Sequence, residues 1–122
     1  MAQQVVLCDE AVEDFEAFFG EIIAALAPGD PVETQLAERI AVCAWRLRRS
    51  YRIEAAMFEN VRRSWTNNVP TFTSRIEHLF IRVTAYDDHL AKLNRYEVSL
   101  ERSIQRTLFA LEHRQMRRLN RS

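Results

Sequence analysis

The sequence predicts an all-α protein, an elongated helical bundle or hairpin of three to four helices with coiled-coil-like seams, and three observations carry that reading. Only two Gly and three Pro occur in 122 residues, too few for the many tight turns of a β fold. Hydrophobic residues at 48% and charged residues at 28% exclude a disordered or collagen-like chain. Apolar residues recur at spacings of three and four over long runs, the period of a helix that buries one face. At this length the expectation is a single domain, residues 1–122, with one core.

The first helix is expected over roughly residues 10–27. Val12, Phe15, Phe19, Ile22 and Leu26 share one face. Asp9 stands where an N-cap would, and Glu10 and Glu13 suit the positive end of the helix dipole. Ala27-Pro28-Gly29 ends the segment. Asp30-Pro31-Val32-Glu33 opens a second helix, over 31–66, with Asp30 as cap, Pro31 at the first helical position and Glu33 closing a capping box. Its apolar rhythm runs through Leu36, Ile40, Cys43 and Leu47, breaks at Ser50 and Glu54, and resumes at Phe58, Val61 and Trp65. A helix of that length, on the order of 50 Å, must bend or pair along its course. Thr66-Asn67-Asn68-Val69-Pro70 stops it.

Ser74-Arg75-Ile76-Glu77 is a further capping box, opening a helix over 75–86 that would bury Ile76, Phe80 and Val83. The stretch from Phe80 to Tyr86 is β-branched enough for a strand, but a lone strand has nothing to pair with. Asp87-Asp88 then caps a last helix, 88–119, whose seam is Leu90, Leu93, Glu97, Leu100, Ile104, Leu108, Leu111 and Gln115. A break at Asp87 is expected there in place of one continuous rod, because aspartate favours caps over helix interiors.

Two stretches carry a family resemblance: Glu38-Arg39-Ile40-Ala41 through Trp45-Arg46-Leu47-Arg48-Arg49 to Glu54-Ala55-Ala56, and Leu90 through Arg95-Tyr96-Glu97 and Leu100-Glu101-Arg102-Ser103 to Arg106, Leu108, Leu111 and Gln115. Together they resemble a group of uncharacterised bacterial proteins, common in soil bacteria of high genomic GC content, with a WRLRR-type helix followed by an RYE...LERS...R.L..L...Q helix. The resemblance implies a helical fold and no particular activity.

Charge sums to zero but is unevenly placed. Residues 1–44 hold nine acids and one base, Arg39, whereas residues 45–122 hold 16 bases and eight acids. Such a layout suits either an acidic first helix lying against basic later ones, or a dipolar molecule whose basic surface meets nucleic acid or an acidic partner. Lys92 is the only lysine among the 17 bases. Arginine forks onto phosphate and stacks on bases, so Arg46, Arg49 and Arg52, with Arg62 and Arg63, form one candidate contact strip. Arg114, Arg117, Arg118 and Arg121 form another, although the negative end of a helix dipole also attracts bases. Trp45, Trp65, Tyr51 and Phe72 stand near arginines and could stack on unpaired bases. Lying on or beside the apolar stripe, Trp45 and Trp65 read instead as core or interface anchors. Glu54 and Glu97 occupy positions where the rhythm calls for an apolar side chain. Glu97 is the candidate buried carboxylate, with Arg46, Arg49 and Arg52 as the nearest donors; a local drift of the helix that exposes both acids is the alternative.

Cys8 and Cys43 have neither disulfide-framework nor zinc-site spacing and read as plain thiols. His78, His89 and His113 are too scattered for a metal ligand set. No Gly-rich phosphate loop or nucleophile elbow is present, so no cofactor, metal or catalytic residue is expected, and an enzyme subunit is a residual reading. No signal peptide or membrane span is expected, because the apolar run from Val5 to Cys8 is far too short. The expected setting is cytoplasmic, without a membrane partner. The leading expectation is a non-enzymatic accessory module that binds nucleic acid or a nucleoprotein through its arginine-rich helices. The alternative is an adaptor or inhibitor that presents its acidic first helix to a basic protein surface. Seams longer than one small core can cover add self-association, as a homodimer or higher.

Overall fold

The structure, a computed structural model, describes residues 5–7, 10–68 and 72–121, and within them the side chains of all but 61, 64–68 and 72–87. Among the described residues it is all-α, with three helices that pack against one another: α1 (Val12–Leu26), α2 (Pro31–Asn68) and α3 (Phe72–Arg121). The chain divides into two compact units, residues 1–47 with 99–122, and residues 48–98.

In the first unit the core forms two clusters. Phe15 of α1 and Trp45 of α2 are both buried, and their rings meet edge-on with centroids 5.4 Å apart at 77°. Phe18 tilts against the same indole at 5.6 Å, and Phe19 lies 5.6 Å from Phe15. Each such offset aromatic pair adds about 0.5–1.5 kcal/mol beyond its buried area. Val5 is buried with them, and Val6 and Val42 pack on the cluster. The second cluster joins Ala37 and Ile40 of α2 to Leu111 of α3, ringed by Ile22, Ile23, Leu26, Leu36, Ile104 and Leu108. Ala37, Ala41 and Leu111 have no accessible surface. The small alanine side chains let a neighbouring helix come close enough for complete burial.

In the second unit, the described side chains that are buried are polar, Ser50 and Glu97. Tyr51, Ile53, Phe58 and Tyr96 are exposed. Ile53 and Met57 of α2 line a shallow apolar groove with Leu93, Tyr96, His89 and Lys92 of α3.

Several expectations need correction. Asp9 lies outside the described residues, and the N-cap of α1 is Ala11, extended at φ −82 and ψ 126 with no side-chain cap. Ahead of it, the Leu7 N–H donates to Glu10 Oε1 at 2.9 Å and the Glu10 N–H to the Leu7 carbonyl at 2.9 Å, closing a turn. Val12 is exposed and Phe18 packs inward instead, because the buried face of α1 is rotated to follow the Trp45 indole. Phe58 is exposed, so the seam does not continue through it. Helix α3 opens at Phe72, ahead of the expected start, and passes Ser74 as an interior position. Thr71 in the sequence is itself a cap-type residue immediately ahead of it.

The expected break at Asp87 is absent, and α3 is continuous across it. Two aspartates cost a helix interior only about 0.7 kcal/mol each in propensity. A break would strand four carbonyls and four N–H groups, and no Gly or Pro between 72 and 121 enforces one. The side chains of Val61, Ile76, Phe80 and Val83, and Cys8, lie outside what the structure describes. Among the described residues no helix is long and apolar enough to cross a membrane.

Candidate functional site

The α1–α2 junction and the end of α3 meet in a polar knot within the first unit. Asp30 caps α2 as its sequence position demands: the Glu33 N–H donates to Asp30 Oδ1 at 2.8 Å, satisfying one of the orphan donors of the first turn. The Thr34 hydroxyl also donates to the Asp30 carbonyl at 2.9 Å. The reciprocal half of the box takes a different course. The Glu33 carboxylate accepts from the Gly29 N–H at 3.1 Å. It also receives the Arg118 guanidinium in a two-pronged pair, Nε to Oε2 at 2.7 Å and Nη2 to Oε1 at 3.3 Å. Glu33 is fully buried while the Arg118 side chain is 41% exposed, so the water-excluded partner is the acid. That pair raises the Arg118 guanidinium above its ordinary range.

Gly29 lets the Arg118 guanidinium lie close against the backbone. A Cβ on it would overlap the Arg118 guanidinium, which the two-pronged pair holds in place, and no Gly in the structure has positive φ. Two residues earlier, Ala27 carries the left-handed conformation at φ 47, where glycine is the usual occupant. Its neighbourhood is held by Gln115, whose Nε2 donates to the carbonyls of Leu26 at 2.7 Å and Ala27 at 3.2 Å. The seam residue Gln115 thus caps the end of α1. Arg114 Nη2 lies 3.6 Å from Asp30 Oδ2. The Glu33 backbone N–H, with the Arg114 charge adding to it, holds the Asp30 carboxyl below the usual carboxylate range against the opposing pull of burial.

Beside this knot runs an open groove of about 690 Å³, lined by Val32 and Leu36 of α2 and by Phe109, His113, Arg117 and Arg121 of α3, with Asp30, Arg114 and Arg118 at its edge. Phe109, His113, Arg117 and Arg121 stand four residues apart, about 6 Å per step along the helix. Phe109 is 72% exposed, and its ring lies nearly parallel to that of His113, with centroids 6.3 Å apart at 22°.

The predicted contact residues therefore sort into two kinds. Arg118, through its pair with Glu33, is a structural tie between α3 and the α1–α2 junction. Arg114 leans on Asp30. Arg62 pairs with Glu59 at 2.9 Å and Arg63 with the same acid at 3.5 Å, so both are engaged within α2; these pairs hold Glu59 below its ordinary range. Arg49 and Arg52 also make contacts within the molecule. Among the described residues, Arg46, Arg117 and Arg121 form no ion pair. Arg46 lines a separate groove with Arg39, Glu38, Val42, Cys43 and Ser103, where the Cys43 thiol, buried and free of a disulfide, sits 3.7 Å from the Ser103 hydroxyl.

Of the two expected readings of Trp45, core or interface anchor, its place in the chain is the core one: it is 3% exposed and the phenylalanines of α1 cover it. The Trp65 side chain lies outside the described residues. Glu97 is 6% exposed; Glu54 is half-buried. The acids Glu13, Asp14, Glu16 and Glu21 are exposed on α1 and form no ion pair among the described residues, so this helix does not neutralise itself by contact with the arginines. Among the described residues no three His, Cys, Asp or Glu side chains group as a metal site.

Two features escaped sequence reasoning. Glu33 had a complete local explanation as a box residue, which concealed a partner 85 positions away. Phe109 falls off the Ile104, Leu108, Leu111 seam, and a large apolar side chain off its seam in an arginine-rich turn was the available signal. Comparison with protein-family models, curated proteins and solved structures finds no match to this chain, so the resemblance of its two motif stretches transfers no activity to it.

Proposed function

We propose that this chain is a non-enzymatic helical module that binds nucleic acid, or a nucleoprotein that presents it, through the groove at the end of α3. The observation that carries this reading is that Arg117 and Arg121, which form no ion pair among the described residues, share one open groove with an exposed aromatic ring. Arginines with free forks bind phosphate oxygens bidentately. Arg114, held only loosely by Asp30 at 3.6 Å, is within the same groove to add a third phosphate partner. The setting of such a module is the cytoplasm.

Anisotropy of labelled DNA and RNA oligonucleotides across a salt series tests the reading. Affinity should fall steeply with salt, and Arg117→Gln with Arg121→Gln should flatten the log–log slope by about two, one for each phosphate no longer neutralised. Salt-independent binding, or none at low salt, contradicts it.

The exposed, unneutralised acids of α1 favour a second reading, an adaptor that presents α1 to a basic protein surface. Glu13→Gln, Glu16→Gln and Glu21→Gln together would then abolish partner capture and leave oligonucleotide binding unchanged. The apolar side chains exposed in the second unit support self-association as well. Light scattering at micromolar concentration should give a mass above 14.3 kDa, and a concentration-independent monomer contradicts that part.

A further inference from the structure

We infer that the ligand of the α3 groove is single-stranded nucleic acid, with Phe109 as the stacking platform for an unpaired base; this rests on the nucleic-acid reading proposed above. Phe109 is among the most exposed large apolar side chains of the described structure, at 72%. It is not loose, because His113 one turn on backs it with a nearly parallel ring, and Arg117 and Arg121 continue the same line. A ring held this way offers one flat apolar face beside two unneutralised guanidinium groups.

The chemistry of that combination selects among ligands. An apolar protein surface would match Phe109 but would have to strip water from Arg117 and Arg121 without pairing them, which is costly. A duplex satisfies the arginines with phosphates but keeps its base faces stacked inside, so only base edges would reach the ring. A single strand supplies both parts at once, phosphates for the arginines and a free base face for the ring. Val32 and Leu36 on the opposite wall give the base an apolar border.

The test compares three labelled probes on the full chain: an oligothymidylate of about 12 nucleotides, an abasic strand of the same length, and a duplex of the same length. The oligothymidylate should bind about tenfold or more tightly than the abasic strand, the range expected for one stacked base. Phe109→Ala should erase that preference and leave abasic affinity unchanged, and Phe109→Trp should restore it. Equal affinity for oligothymidylate and abasic strand, or equal weakening of both by Phe109→Ala, overturns the stacking inference while the nucleic-acid reading stands. Failure to bind any of the three at low salt overturns both. Because Phe109 lies outside the buried clusters, its alanine variant should keep the thermal midpoint of the parent, and circular dichroism of each variant checks this.

Discussion

The two units of the chain share α2 and α3, yet among the described residues the first buries mainly apolar side chains and the second only polar ones. Between residues 1–47 and 99–122, α2 and α3 receive a third helix, and the phenylalanines of α1 close over Trp45 while Ala37, Ile40 and Leu111 are almost wholly shielded from water. Between residues 48 and 98 the described buried side chains are Ser50 and Glu97, and Tyr51, Ile53, Phe58 and Tyr96 face outward. Among the described residues the difference follows α1. A stripe three or four residues apart directs side chains to one face, and in the first unit the apolar side chains of α1 cover Trp45 and pack on the Ala37, Ile40 and Leu111 cluster.

The largest effect separating the units should come from Trp45→Ala. Removing a buried indole from the cluster that α1 and α2 form with Val5 and Val6 costs about 3–5 kcal/mol, whereas Phe58→Ala, on an exposed ring, should stay within about 0.5 kcal/mol. Urea titrations read both, and comparable losses would erase the distinction between the units.

Glu97 is the strongest interior feature of the second unit. Glu97→Gln should cost about 3–5 kcal/mol, and a cycle with Arg49→Met or Arg52→Met should show strong coupling. Additive losses below about 1 kcal/mol with both arginines would mark it as solvated.

Within the first unit, the Glu33–Arg118 pair should be asymmetric. Glu33→Gln keeps an acceptor for the Gly29 N–H and leaves Arg118 able to reach water, a loss of about 1–3 kcal/mol. Arg118→Met strands a buried carboxylate and should be the more destabilising of the two. Gly29→Ala should cost less than Arg118→Met, because its Cβ shifts the flexible end of a partly exposed guanidinium without removing it. Thermal melts of the three variants in one buffer check this order.

The smallest effects lie at the caps. Ala27→Gly should stabilise by roughly 0.5–1 kcal/mol, relieving a left-handed alanine against the added freedom of the unfolded glycine. Folding lowers the Asp30 pKa. Its contribution is therefore complete above about pH 4 and is lost as pH falls through the lower folded value. Asp30→Asn, which still caps the helix, should remove that part of the acid sensitivity.

How legible this was in the sequence differs by residue. The α1–α2 boundary was readable because Asp30, Pro31 and Glu33 each have a local job, and local jobs leave local signatures. The α3 seam was readable for the same reason, since every described position from Leu90 to Gln115 on it is at least partly buried. Continuity at Asp87 was not, because a propensity cost of about 0.7 kcal/mol per aspartate competes with backbone bonds that no single residue announces. The Arg118 tie and the Gln115 cap were hidden by distance along the chain, with partners 85 and 89 positions away. Nothing in the spacing of four C-terminal arginines distinguishes the one that pairs inward from those that face the groove.

That distinction can be measured directly by crossing stability with binding at adjacent positions. Arg117→Gln with Arg121→Gln should keep the parent's thermal midpoint and lose most oligonucleotide affinity at moderate salt. Arg118→Met should lower the midpoint by several degrees or more and, at a temperature where it is still folded, bind oligonucleotide nearly as the parent does. If the double variant unfolds early, or if Arg118→Met melts like the parent and binds as poorly as the double variant, the division of this cluster into a structural tie and a contact surface is wrong.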